Sequence, residues 1–367
     1  KPDHATTLPY LANELAIIRC PSRDEIKMRS PSETSDRVND FFDSLAADES
    51  EIFARGAAND FPSEPVFQPK PANSVEHVYV GEGIPIGTGK MSPEAFQQRL
   101  SSDFTDDVQT NIVVVCNDSS MTSENTVSTI YERSQWTNVD VSVRNQLSVT
   151  SLAKLLGQDI DFLHYVGHVD KMGLKCADGY LDARSLESVA VRSFLLNACN
   201  SYFQGETLVE RGARGGVATL SQIANQAGVE FGKKFAYLLS RGFPLGQALH
   251  VLSEREVSNI DYVTVGDPIT QIIESRNGAP HVCRISGDKC GTKNFVDNFY
   301  FTSKYGLGSM SSSQLTDSNK FYLSGTESGT NSASPEKFDD TIDYSVSAVI
   351  VDGEMVHRKP SRDTLHD

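Results

Sequence analysis

The sequence predicts an α/β protein: a three-layer α/β/α arrangement on a mostly parallel sheet, with an N-terminal flank and a β-rich C-terminal appendage. Three observations predict it. Strand-like and helix-like stretches alternate from Asn111 to Val265. Several of the strands are continuous apolar runs, as expected where both faces of a parallel sheet are covered by helices. The texture changes on either side of this region, which divides the chain into residues 1–105, 106–275 and 276–367.

The flank comes first. Tyr10 to Arg19 is apolar enough to pack on a neighbour, and Asp40 to Phe53 has the spacing of an amphipathic helix with Phe41, Leu45 and Ile52 on one side. Pro62, Pro65, Pro69 and Pro71 then read as an extended connector. In the middle region, Asn111-Ile-Val-Val-Val-Cys116 is a buried strand, and Asp118 to Ser120 offer N-caps for a helix running to Arg133. Val139 to Val143 alternates as a strand, and Ser148 to Leu156 follows as a helix. Ile160 to Val166 and Val191 to Ala198 are further strands, with a small hairpin between them around Asp178-Gly179. Thr207 to Arg211 predicts a short helix and Gly216 to Leu220 a short strand. Phe231, Phe235, Leu238 and Leu239 share one helix face, which Gly242 ends; Pro244 opens another helix with Leu245, Ala248, Leu249 and Leu252 inward. Asp261 to Val265 is the last strand of the series. In the tail, Tyr305 to Asn331 is rich in Ser, Gly and Thr around one apolar island, Phe321 to Leu323, and Thr341 to Val351 is strand-like.

Composition excludes some classes of function. The 367 residues carry 33 Lys and Arg against 49 Asp and Glu, a formal net charge of -16. Nonspecific binding to nucleic acid or to an anionic membrane needs basic patches, so neither is expected as a partner. No run approaches the roughly 18 apolar residues of a membrane span. Cys20, Cys116, Cys176, Cys199, Cys283 and Cys290 are too sparse for a disulfide framework, and reduced thiols in a cytoplasmic protein are the simpler reading. The chain opens on Lys1, and nothing there resembles a signal peptide.

Two short stretches carry chemistry. Phe162-Leu-His-Tyr-Val-Gly-His168 and Phe194-Leu-Leu-Asn-Ala-Cys199 are apolar runs that each end in a reactive residue. On adjacent parallel strands, His168 and Cys199 would meet at the carboxyl edge of the sheet, where ligands of open α/β sheets gather. A thiol beside an imidazole is the minimum equipment for covalent attack on a carbonyl carbon. His164, four residues earlier on the same side of the strand, reads as a deeper supporting histidine. Spacing alone leaves open that Cys199 is a small buried hydrophobe and His168 an ordinary loop residue. Two other motifs are weaker. Gly83-Ile-Pro-Ile-Gly-Thr-Gly-Lys90 has the wrong glycine spacing for a phosphate loop, and Met91 stands where Ser or Thr is required. His281, Cys283 and Cys290 are candidate zinc ligands without paired Cys-x-x-Cys spacing, and chance proximity is favoured.

Taken in order, Leu163-His-Tyr-Val-Gly-His168, the hairpin around Asp178-Gly179 and Leu195-Leu-Asn-Ala-Cys199 resemble the caspase-like cysteine peptidases, the CHAT branch most closely. Leu208 to Leu220 is similar to that family's helix and strand after the nucleophile, Pro244 to His250 to its late helix, and Val265-Gly-Asp-Pro268 to a motif of gingipain-type peptidases. The resemblance implies a cysteine endopeptidase acting on protein or peptide substrates. Cys199 would be the nucleophile, His168 its proton-transfer partner, and the backbone N–H groups of Val169 and Cys199 the oxyanion donors. It implies no metal and no organic cofactor. It also implies S1 candidates on the loops after the strands: Asp170, Ser221, Gln222 and Asp267. An acidic S1 pocket would favour Lys or Arg at the cleavage site. CHAT-type members often sit in larger regulatory systems, so a regulatory protein in trans is expected. One position departs from the family: Val169 stands where glycine is usual. Valine keeps the N–H, but its branched side chain is stiffer and can crowd a substrate. The alternative is therefore a catalytically silent scaffold that binds a protein partner or self-assembles.

Overall fold

A computed structural model describes residues 18–19, 66–67, 78–79, 83–86, 89–101, 109–117, 126–132, 138–223, 225–253, 262–275, 278–287, 293–302, 304–306, 308–315, 320–334, 337–338, 342 and 347–356. The expected helix at Asp40 to Phe53, the connector prolines Pro62, Pro65, Pro69 and Pro71, the N-caps at Asp118 to Ser120, Cys20 and Cys290 lie outside the described residues.

The centre is a six-stranded sheet. Its strands are β1 (Thr110–Cys116), β2 (Val139–Asn145), β3 (Ile160–Val166), β7 (Val191–Asn197), β8 (Gly215–Thr219) and β9 (Tyr262–Gly266). They lie in the order β9-β8-β7-β3-β1-β2. The first five are mutually parallel. β9 is antiparallel to β8. The inner strands are continuous apolar runs because both of their faces are covered: Ile112 to Val115 and Phe194 to Leu196 are all 3% exposed or less. At the edge, β2 alternates Val139, Val141 and Val143 with polar residues and is only partly buried.

Helices cover both faces. On one side α2 (Thr126–Glu132), α5 (Asn225–Leu239) and α6 (Leu245–Ser253) share an apolar cluster with Phe162, Val166, Leu195 and Cys199. On the other, α3 (Val149–Leu156) and α4 (Tyr202–Glu210) pack with Leu163, Tyr165, Phe194 and Leu196. Strand alternation separates the two sets, odd from even, so each face has its own core. The large side chains enclosed here contribute about 1.5–3 kcal/mol each. α4 begins at Tyr202, earlier than its apolar pattern predicts. Between β3 and β7 the chain forms a small three-stranded sheet, β4 (Val169–Asp170), β5 (Gly173–Cys176) and β6 (Gly179–Leu181), one strand more than the hairpin expected.

The C-terminal region is β-rich. A five-stranded sheet comprises β10 (His281–Gly287), β11 (Lys293–Phe299), β12 (Asn331–Ala333), β13 (Ala348–Val351) and β14 (Glu354–Val356). Val282, Tyr300, Ala348, Ile350 and Met355 join the cluster of α5 and α6, so this sheet closes the core instead of hanging beside it. On the N-terminal side, α1 (Pro93–Ser101) reaches the end of β9. The glycine-rich Gly83–Lys90 stretch supplies two short strands, Ile84–Pro85 and Gly89–Lys90. Among the described residues, no helix is long and apolar enough to cross a membrane.

Candidate active site

The site begins with register. β3 and β7 pair from Val191↔Ile160 to Asn197↔Val166. His168 lies two residues past Val166 and Cys199 two past Asn197, so the chain brings both to the same level of the carboxyl edge. Beyond those pairs, the two chains leave the sheet by different devices.

After β3 the chain bends at Gly167 and returns as β4. Tyr165, fully buried, places its hydroxyl under the bend, 3.0 Å from the His168 carbonyl and 2.8 Å from that of Lys175. The Lys175 N–H donates to the His168 carbonyl at 2.9 Å. Asn117 secures the same hairpin by donating to the Lys175 carbonyl at 3.0 Å. A Cβ on Gly167 would stand 2.6 Å from the Tyr165 oxygen, which is why this position is glycine. The Lys175-to-His168 bond also sets the ladder phase. It makes Val169↔Leu174 the non-hydrogen-bonded pair, so β5 does not engage the Val169 N–H. The Val169 side chain is 1% exposed and packs in the α3–α4 core, and its φ is not positive. The expected conflict between a branched residue and this position is therefore met by an ordinary strand conformation with the branch turned inward.

After β7 the chain turns through Asn200, at φ 50°, a left-handed conformation that asparagine tolerates better than most residues. α4 follows at once, so Cys199 sits on a strand-to-helix turn. Ser201 occupies the N-cap position but makes no capping bond. Its hydroxyl donates to the Leu196 carbonyl at 3.0 Å and accepts the Thr219 N–H at 3.0 Å. Thr219 donates in turn to the Ala198 carbonyl. The loop after β8 completes the enclosure. The Asn200 N–H donates to the Ser221 carbonyl at 3.1 Å. The Ile223 N–H donates to Cys199 Sγ at 3.0 Å, and the thiol points back at the Ile223 carbonyl at 3.6 Å. Cys199 is fully buried beneath this loop.

Under the site lies a polar layer in the apolar core. His164 is buried, with Nδ1 3.3 Å from the Tyr131 hydroxyl. Asn197 donates to the Gly228 carbonyl at 2.9 Å and accepts from Tyr262 at 2.7 Å. Gly232 lets α5 approach closely: a Cβ there would stand 3.1 Å from the Asn197 amide and 3.3 Å from the His164 ring. His164 thus has the supporting position its spacing suggests.

The S1 candidates divide. Ser221 and Gln222 directly precede Ile223, and the Ser221 hydroxyl is buried with no hydrogen bond among the described residues. Asp170 follows Val169, where its carboxylate accepts the Met172 N–H at 2.7 Å. Asp267 is a correction. Because β9 runs antiparallel, with Gly266 opposite Gly215, Asp267 lies at the amino edge, a strand's length from Cys199. It is fully buried, 3.2 Å from Arg99 and 3.1 Å from Arg214. Burial depresses the Arg214 guanidinium, and Asp267 pulls it back. Asp267 belongs to this ion triad and not to a pocket beside Cys199.

Cys116, Cys176, Cys199 and Cys283 are buried thiols. Burial, with Asp178 nearby, pushes the Cys176 thiol up to about 11, and burial together with Asp297 raises Cys283 well above its usual range. Neither is poised as a thiolate. Among the described residues, no three His, Cys, Asp or Glu side chains are placed to hold a metal ion.

No family model matches the sequence, and no curated protein matches it. Among solved structures, the chain is similar to a crystal structure of the Arg-specific cysteine proteinase gingipain R, at TM-score 0.40 and 10% identity over 59% of this chain and 62% of that one. It is also similar to a complex of the pro- and mature domains of RgpB from Porphyromonas gingivalis, at TM-score 0.40 and 11% identity over 72% of this chain and 70% of that one. The chain thus spans less than two thirds of the first of these structures.

Proposed function

We propose that the chain is a caspase-like cysteine endopeptidase of the CHAT type, held with its thiol covered. The observation that carries this reading is the register that ends two adjacent parallel strands at Val166 and Asn197, two residues before His168 and Cys199. As thiolate, Cys199 attacks the scissile carbonyl and forms the C–S bond while the carbonyl π electrons move onto oxygen. The oxyanion is held by the N–H groups of Val169 and Cys199, each such donor being worth about 3 kcal/mol. His168 passes the proton to the departing amine as the C–N bond breaks, and water then releases the acyl group from sulfur. Asp170, Ser221 and Gln222 are the S1 candidates, and the Asp170 carboxylate favours Lys or Arg at the cleavage site. Ile223 must withdraw for any of this to happen, which gives a regulatory partner in trans, or processing, something definite to do.

The test compares the full chain with its Cys199→Ala variant on peptide libraries carrying basic, acidic or small P1 residues. Iodoacetamide labelling of Cys199 is followed in parallel. Wild type is expected to cleave basic P1 peptides and the variant none, with labelling accelerating whenever cleavage does. Identical behaviour of the two proteins on every library defeats the reading. The enclosed thiol, bonded to both main-chain groups of Ile223, favours a second reading: a silent scaffold that binds a protein partner. Cleavage that Cys199→Ala abolishes would exclude it.

A further inference from the structure

One side chain at the carboxyl edge is buried, polar and absent from the chemistry above. Tyr165 belongs by its strand phase to the α3–α4 core, yet its hydroxyl reaches past the end of β3 to two carbonyls. A phenol has one proton, and here it lies between the carbonyls of His168 and Lys175. The His168 carbonyl also takes the Lys175 N–H, so the main chain at His168 is held from the ring and from the hairpin at once. The backbone lies so close over the ring that position 167 has no room for a Cβ. Packing needs only the ring; the hydroxyl acts on the two carbonyls.

We propose that Tyr165 is a positioning residue, whose hydroxyl sets the His168 main chain and with it the aim of the imidazole and of the neighbouring Val169 N–H. Its effect on turnover rests on the peptidase reading, whereas its hold on the loop does not. A misplacement of about 1 Å at a reacting group can cost on the order of 100-fold in rate. Tyr165→Phe keeps the ring and removes only the hydroxyl. Asn117→Ala is the structural control, because it takes the other side-chain donor from the Lys175 carbonyl and leaves the His168 carbonyl alone.

Two readouts test the proposal in the full-length protein. The first is independent of activity: NMR titration of the His168 imidazole and hydrogen exchange at the Lys175 amide. Tyr165→Phe is expected to move the His168 titration and to speed Lys175 exchange by about tenfold or more, whereas Asn117→Ala leaves the His168 titration in place. Unchanged values in Tyr165→Phe, or equal changes in both variants, overturn the proposal whether or not the chain is a peptidase. The second is kinetic, on the peptides that wild type cleaves and Cys199→Ala does not. There Tyr165→Phe is expected to lower kcat by roughly 10- to 100-fold with KM within about threefold. A kcat within twofold of wild type overturns the proposal while leaving the peptidase reading intact. Cleavage unaffected by Cys199→Ala defeats that reading alone, and the NMR result still judges Tyr165.

Discussion

The two edges of the central sheet both gather polar residues, and they satisfy them by opposite means. At the amino edge the solution is charge against charge: Asp267, fully buried, lies between Arg99 and Arg214 and joins α1, β8 and β9. Around the main-chain carbonyls at the carboxyl edge it is neutral. The hydroxyls of Tyr165, Ser201 and Thr219 and the amide of Asn117 bind main-chain carbonyls around His168 and Cys199. An enclosed ion cluster is costly to form and costlier to break, because each partner left behind is an uncompensated charge. Neutral staples order the backbone without adding a fixed charge beside a reacting group. The difference teaches where each kind of polarity belongs: ions at the edge that locks elements together, dipoles at the edge that carries the candidate chemistry.

The sharpest way to break the comparison is Asp267→Ala. It strands two nearly buried guanidiniums, and a loss of about 3–5 kcal/mol is expected in urea denaturation. Removing Arg99 in the same protein should soften that loss. A loss of under about 1 kcal/mol would mean that the triad is solvated, and the contrast between the edges would collapse.

Gly167→Ala probes the carboxyl edge with a smaller perturbation. The added Cβ meets the Tyr165 oxygen at 2.6 Å and its Cζ at 2.9 Å. Overpacking of this kind costs about 1–3 kcal/mol. The expected signature is disproportion: peptide cleavage falls by more than tenfold while the denaturation midpoint moves modestly. Asp267→Ala should show the reverse, with the cleavage rate per folded molecule preserved. If both variants lose stability and cleavage in parallel, the edges do not differ in role.

Much of this contrast was legible in the sequence, and the rest was hidden for physical reasons. Ile112 to Val115 and Phe194 to Leu196 announce buried strands because only a doubly covered strand can be apolar on both faces. Gly167 and Asn197-Ala-Cys199 mark the ends, so the neighbouring places of His168 and Cys199 follow from the chain order. Strand direction has no such signature. Val265-Gly-Asp-Pro268 reads the same whether its strand runs up or down, and β9 runs down, which put Asp267 at the wrong edge. The Ile223 contact is made by main-chain atoms, so no side chain announces it. Tyr165 looked like one more apolar residue in a strand, and only the absence of a side chain at Gly167 hinted that something lay beneath. In the tail, β10 and β11 break their apolar residues with polar ones such as Arg284, Lys293, Asp297 and Asn298 and show neither a continuous apolar run nor a clean alternation, a weaker signal than the runs of the centre.

The comparison extends to a third polar cluster, and there the expected effect is smallest. In the C-terminal sheet, His281 is buried with Nε2 2.7 Å from the Ser347 hydroxyl, and Asp297 lies on the paired strand β11. This cluster can follow either edge: an ion pair with Asp297, or a neutral hydrogen bond with Ser347. Burial holds the His281 imidazole below its ordinary 6.5, and Asp297 pulls it back only in part, so the neutral solution prevails. The sign follows from proton uptake. Above pH 6.5 the imidazole is neutral in both folded and unfolded chains and contributes no slope. As pH falls below 6.5 the unfolded chain binds a proton that the folded chain refuses, so stability declines until the folded imidazole protonates too. Melting temperatures between pH 7.5 and 5 should therefore fall more steeply for wild type than for His281→Asn. If His281 were an ion pair, its value would lie above 6.5 in the folded chain and the order would invert, with wild type gaining on the variant as pH drops. That inversion would place the C-terminal sheet with the amino edge, and it would show that nearness to a carboxylate outweighs burial in this protein.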